Sequence, residues 1–308
     1  ALMQIVNEAL QFLSMSAKLS LYTALGCLRA LIPKGVLPRK SVVGDVCLIT
    51  GAGSGIGRLM AIEFAKRGCT LVLWDVNTVG NEETARLVAA EGAKCHTYTI
   101  DLSSRDAINR TAATVLSDVG RVDILINNAG IVTGKKIFDC SDELMEKTMA
   151  VNTNACLFTA KNFVKGMLER DHGHVVTVAS IAGKVGTAGL VDYCASKHGA
   201  VGFHESLSSE LRAQGSNVKT TLVCPFFIDT GMFDGVQSTS VFLPVLSPSY
   251  VVECVMEAVL TNRDEIQIPK FLYTTTLLAN MLPSEAKHVL SEYYGVYDTM
   301  ETFKGRSK

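Results

Sequence analysis

The sequence predicts a doubly wound α/β fold, a parallel sheet covered by helices on both faces. Two observations carry this. From Asp45 onward, short apolar and β-branched runs alternate with longer amphipathic stretches, the pattern of doubly buried strands joined by crossover helices. A glycine-rich stretch, TGAGSGIG from Thr50 to Gly57, joins the first run to the first helix. That junction is where such sheets present free helix N–H groups to an anion.

In chain order, VCLIT leads to a helix from about Gly55, LVLWD to a helix over 81–91, and CHTYTID to a helix over 104–118. VDILINN follows, then a long helix over 141–169, HVVTVAS, a helix from about 193 to 213, and VKTTLVCP. The 308 residues hold no Pro- or Ser-rich linker, so a single domain with a tail at each end is expected. Its bounds are 43–268, with a helix and basic linker over 1–42 and an apolar helical tail over 269–308.

Residues 2–32 are strongly apolar, yet Glu8, Lys18 and Arg29 interrupt them, which argues against a simple transmembrane helix. On a helical wheel Gln4, Asn7, Glu8, Gln11, Ser14, Lys18, Tyr22 and Arg29 share one arc of roughly 120°. The wide apolar face predicts an amphipathic membrane-anchor helix lying in the lipid interface. The alternatives are a helix docked on the domain and, after it, a cleaved signal peptide, which lacks its basic n-region here. Lys34, Arg39 and Lys40 beyond it suit anionic head groups.

A formal net charge of −1 without a basic run argues against a nucleic-acid partner. Nine scattered cysteines form no C-x-x-C pair, which fits reduced thiols in a cytosol-facing protein. His172 and His174 lack partners at zinc spacing, so no metal site is expected.

Within the glycine stretch, Gly51 permits the tight turn, Gly55 a close approach to a pyrophosphate, and Gly57 close helix packing. Asp75 ends the second strand 24 residues after Gly51. A carboxylate there binds ribose hydroxyls and repels a 2′-phosphate, favouring NAD over NADP. Arg58 is the residue that would weaken this preference. Tyr193 and Lys197 lie one helical turn apart; the spacing alone equally suits a solvated surface pair. A cation beside a phenol favours phenolate. Oxidation of an alcohol needs such a base, since free tyrosine, with a pKa of about 10, stays protonated at neutral pH.

These motifs resemble, in order and over about residues 43–232, the short-chain dehydrogenase/reductase family. Thr50, Gly51, Gly55 and Gly57 match its T-G-x-x-x-G-x-G, and Asn127, Asn128, Ala129 and Gly130 its N-N-A-G. The resemblance implies a Rossmann-type sheet and hydride transfer by Asn152, Ser180, Tyr193 and Lys197. Ser180 would stabilise the substrate oxygen, and Asn152 would hold a water for proton relay. Lys197 would also hold the nicotinamide ribose. Cofactor contacts are implied at Thr50, Gly51, Ser54, Gly55, Ile56, Gly57, Asp75, Asp101, Leu102, Asn128, Ala129, Gly130, Tyr193, Lys197, Pro225, Ile228 and Thr230. One departure is Phe226, where the family carries glycine after Pro225; it puts the local loop path in question and narrows the pocket mouth.

GIVTGKK, DCSDELMEK and CPFFIDTGMF resemble a membrane-associated subgroup of retinol and 17β-hydroxysteroid dehydrogenases. That implies NAD-dependent oxidation of a lipophilic alcohol, with all-trans-retinol to retinal as the leading reaction. The alternatives are a hydroxysteroid substrate and a slow lipid-droplet scaffold. Further implications are the endoplasmic reticulum membrane or a lipid-droplet surface, and a homodimer built on the helices over 141–169 and 193–213. Residues 226–247 form the expected apolar substrate loop.

Overall fold

The computed structural model describes residues 2–32, 35–238, 240 and 242–305. The chain divides into two compact units, residues 1–39 and 40–308.

The first unit holds α1 (Leu2–Leu31). The expected membrane-anchor helix is not upheld: among the described residues, no helix is long and apolar enough to cross a membrane. Glu8, Lys18 and Arg29 divide the apolar run of α1, each a costly group in hydrocarbon. The proposed basic cluster also changes. Lys34 lies outside the described residues, and Lys40 belongs to the second unit, where its ammonium donates to Nδ1 of buried His174 at 2.7 Å. Burial lowers Lys40 to about 8 and, with Lys40 beside it, holds His174 neutral.

The second unit is a seven-stranded sheet, β1 (Val46–Thr50), β2 (Thr70–Asp75), β3 (Cys95–Thr99), β4 (Ile124–Asn127), β5 (His174–Val178), β6 (Lys219–Pro225) and β7 (Glu265–Ile268). The order is β3-β2-β1-β4-β5-β6-β7, and every pairing is parallel. The crossovers run through α2 (Gly55–Ala65), α3 (Thr78–Ala90), α4 (Arg105–Asp118), α5 (Asp142–Met149), α6 (Ala155–Glu169), α7 (Val191–Ala213) and α8 (Pro248–Leu260). Asn77, Ser104 and Ser247 cap α3, α4 and α8 by accepting a backbone N–H from the first turn, which fixes where each helix begins.

Two cores fill the layers. On one face Met60 and Phe64 of α2 pack with Val255 and Val259 of α8. On the other, Ile108 of α4 and Phe163 and Met167 of α6 surround Trp74, whose ring meets Phe163 edge-on at 5.8 Å. The strands between them read as continuous apolar runs because they face apolar layers on both sides.

Two elements differ from expectation, and the tail is helical as expected. The single helix over 141–169 is broken by a π-helical turn, Ala150–Asn154. A seventh strand and α8 extend the sheet past VKTTLVCP; EIQI is too short and too polar at alternate positions to stand out by pattern. The tail forms two helices, α9 (Phe271–Met281) and α10 (Ser284–Tyr293).

At the N-terminal edge of the sheet, buried Asp123 accepts from the Val46 N–H at 3.0 Å, from Arg121 at 2.8 Å and from Arg170 at 3.2 Å. Asp123→Ala strands these donors, and a loss of about 1–3 kcal/mol is expected for a buried donor left unpaired. Urea unfolding of the variant against the wild type measures it.

Candidate active site

β1 and β4 are neighbours whose crossovers leave in opposite directions, which opens a crevice at their C-terminal ends. The sequence locks the two ends together. Thr50 Oγ1 accepts the N–H groups of Asn128 and Ala129 at 2.9 and 3.0 Å. Asn128 Nδ2 donates back to the carbonyls of Thr50 at 2.9 Å and Gly51 at 3.2 Å. The glycine stretch then turns into α2 with φ of 65° at Gly51 and 55° at Gly55, in the left-handed region that favours glycine. A Cβ at Gly57 would run into the carbonyl of Gly51.

Above these ends lies a cavity of about 450 Å³. Every residue named for cofactor contact lines it except Thr50, which is turned inward as the latch. Asp75 sits at one end. Its Oδ2 accepts the Gly53 N–H at 2.8 Å and its Oδ1 the Asn77 N–H at 2.8 Å, which aims the carboxylate across the glycine turn. Asp101 accepts from the N–H and hydroxyl of Ser103 at 2.9 and 2.8 Å, and these bonds hold its carboxyl below the usual range. The cradle therefore fits a dinucleotide: bare glycine backbone and helix N–H groups for phosphates, and a carboxylate for a ribose.

Arg58, the residue that threatened the NAD preference, is committed elsewhere. Its guanidinium donates to the carbonyls of Gly53 and Gly80 and to Thr84 Oγ1.

At the other end Ser180, Tyr193 and Lys197 converge on the cavity. Ser180 Oγ donates to the Pro225 carbonyl at 3.5 Å and accepts the Ala182 N–H at 3.1 Å, fixing the short turn after β5 beside the Tyr193 phenol. Lys197 Nζ lies 5.7 Å from the Tyr193 ring centroid and donates to the Val178 carbonyl at 3.0 Å. Burial raises the Tyr193 phenol above its ordinary range, the neighbouring Ser180 hydroxyl opposing it. Burial also lowers Lys197 to about 8. The expected depression of the phenol is thus absent from the protein by itself, because desolvation outweighs the influence of Ser180.

Asn152 does not line this cavity. It sits in the π-turn, 1% exposed, with Oδ1 accepting the Ile131 N–H at 2.8 Å. Its Nδ2 donates to the Ile131 carbonyl and to Ser196 Oγ, both at 2.9 Å. Ser196 in turn donates to the Tyr193 carbonyl at 2.7 Å. The amide therefore ties the loop after β4 to the first turn of α7.

Sequence reasoning missed two contacts. Phe233 packs edge-on against Tyr193 at 5.6 Å and Phe227 at 4.9 Å, a definite pairing where the apolar loop alone named no partner. Tyr294 after α10 lines the cavity, which no local pattern signals; Leu272 and Thr276 of α9 line it too, and their largely uncharged segment, Lys270 to Pro283, reads from sequence as covering the pocket or touching a membrane. Phe226, the departure from the family pattern, continues the β6–β7 ladder through its N–H to the Ile268 carbonyl at 2.8 Å.

Lys197 has a testable linkage. Its pKa is about 8 folded against an ordinary 10.5, so between those values the unfolded chain binds more protons and stability rises with pH. Below that window both states are protonated and the contribution is constant. The stability of the wild type relative to Lys197→Met should therefore increase as pH is raised through 8 to 10.5, by urea titration at each pH.

Comparison with known proteins agrees with this geometry. A family model described as short chain dehydrogenase matches residues 45–240. Human epidermal retinol dehydrogenase 2 is 49% identical over 282 residues, 91% of this chain and 90% of that protein. Retinol dehydrogenase 10-B of Danio rerio is 47% identical, covering 89% of each. Among solved structures, a short chain dehydrogenase/reductase from Burkholderia phymatum in complex with NAD superposes with a TM-score of 0.72 at 28% identity, covering 79% of this chain and 95% of that one. A metagenomic short-chain oxidoreductase in complex with NADP gives 0.64 at 28% identity, covering 74% and 98%. The chain belongs to the short chain dehydrogenase family and is an NAD(P)-dependent oxidoreductase.

Proposed function

We propose that the protein oxidises a lipophilic alcohol with NAD, all-trans-retinol to retinal being the leading reaction, with Tyr193 as base. One observation carries the reading: the Tyr193 and Ser180 hydroxyls line one cavity with the glycine turn and with Phe227 and Phe233, and the Phe233 ring packs on Tyr193. An apolar wall beside these hydroxyls suits a hydrocarbon alcohol. The names of the 49% and 47% identical relatives support a retinoid.

The bound dinucleotide supplies the hydride acceptor and a positive ring. Tyr193 takes the alcohol proton, and Ser180, on the same cavity wall, stabilises the alkoxide as it develops. Lys197 stays largely cationic at neutral pH with its pKa near 8, and its charge favours the phenolate. Asn152 acts by positioning Tyr193 through Ser196, and a relay water is an addition to that role. Asp75 excludes a 2′-phosphate, and the commitment of Arg58 to backbone carbonyls supports NAD over NADP. A homodimer through α5–α7 and residence at endoplasmic reticulum or lipid droplets belong to the same reading and rest on the family resemblance.

The test is NADH formation with all-trans-retinol and, in parallel, estradiol. Tyr193→Phe should lower kcat by about 10²–10⁴-fold, the span of general acid–base catalysis, with NAD affinity kept. Turnover of estradiol alone would replace the retinoid with a hydroxysteroid. Asp75→Asn should raise the NADP-to-NAD ratio of kcat/KM by at least about tenfold, equivalent to about 1.4 kcal/mol.

A further inference from the structure

Three glycines outside the dinucleotide loop come from three different segments around the substrate end: Gly134 after β4, Gly189 before α7, and Gly235 in the substrate loop. Their φ values are 62°, 73° and 86°, all in the region that favours glycine. All three meet one stretch of the C-terminal tail, residues 299–305. A Cβ at Gly134 would collide with the ring of Phe303, one at Gly235 with the carbonyl of Thr302, and one at Gly189 would lie 3.0 Å from Met300 Cβ. Each is thus a notch that the tail fills.

Hydrogen bonds hold the tail in place. The N–H groups of Lys304 and Gly305 donate to the Asp234 carbonyl at 2.8 and 3.1 Å, and Thr302 Oγ1 donates to the Gly235 carbonyl. The result reaches the reacting phenol. Phe303 lies edge-on 6.4 Å from Phe233, which lies 5.6 Å from Tyr193, and Met300 and Tyr193 belong to the same apolar cluster. Phe303 does not itself line the cavity. It acts on the site through Phe233.

We propose that Phe303 is a positioning residue for substrate selection: residues 299–305 lock into the three glycine notches and press Phe233 against Tyr193, so that the apolar wall fits a bulky hydrocarbon alcohol. The substrate class rests on the function proposed above; the locking of the loop does not. Discrimination between bulky and small alcohols then depends on a contact beyond the cavity lining, because a ring held on both sides presents a fixed wall.

The experiment uses the full chain with Phe303→Ala, Phe303→Tyr and Gly134→Ala, the last ejecting the Phe303 ring without altering it. Steady-state rates are read with all-trans-retinol and with butan-1-ol, and NAD affinity by calorimetry. Phe303→Ala and Gly134→Ala should raise KM for retinol by about three- to tenfold, the equivalent of one aromatic contact. KM for butan-1-ol and NAD affinity should stay unchanged, and Phe303→Tyr should behave as wild type. Equal losses with both alcohols and with NAD would overturn the proposal, since they report general disruption. Hydrogen exchange of residues 226–238 with NAD bound reads the locking without any alcohol. Faster exchange in Phe303→Ala supports it even if wild type turns over neither alcohol, an outcome that would retire only the substrate reading. Unchanged exchange overturns the locking itself.

Discussion

The latch between Thr50 and Asn128 is the interaction on which the site depends. One hydroxyl receives two backbone N–H groups from the end of β4, and one amide returns to two carbonyls at the end of β1. Thr50 is 2% exposed, so each of these groups would go unpaired if the strand ends separated. Joining them sets the width of the crevice. It also places the glycine turn, whose bare backbone sits against the same loop: a Cβ at Gly51 would lie 2.9 Å from the Ala129 Cα. The cofactor half of the cavity is therefore built from backbone, and the strand ends decide its shape.

The Tyr193 half is built on side chains held against desolvation. Tyr193 and Lys197 are both buried, and burial drives both toward their neutral forms. The ammonium bonds to the Val178 carbonyl, which compensates for lost hydration. Asn152 completes the frame from the far side. The π-turn brings its amide to Ile131 and Ser196 together, a placement consistent with the frequent use of π-turns at functional sites. The same turn seats Thr153 on α7 through the Ser196 carbonyl at 2.6 Å. The start of α7 is thus held by hydrogen bonds from the π-turn and from the end of β5.

Some of this was legible in the amino-acid order and some was not. The glycine turn, Asp75 and the Tyr193–Lys197 pair are local: their spacing within one turn or one crossover already fixes what they face. Phe303 lies 110 residues beyond Tyr193, and Lys40 lies 134 before His174. No periodicity relates such positions. Arg58 stood against the NAD preference in sequence because its partners Gly53, Gly80 and Thr84 are gathered only when α3 packs beside the glycine turn. The apolar face of α1 suggests a membrane anchor, yet among the described residues no helix is long and apolar enough to cross a membrane.

The sequence by itself determined the class of the fold, the dinucleotide cradle and the Tyr193–Lys197 pair, because strand–helix alternation, glycine spacing and an i,i+4 pair act over distances that local geometry sets. Tertiary structure alone decided the protonation balance of Tyr193 and Lys197, the assignment of Asn152 to a frame, and the aromatic wall that the C-terminal residues close. These follow from burial and from contacts between distant segments, and both come into being only when the chain has packed.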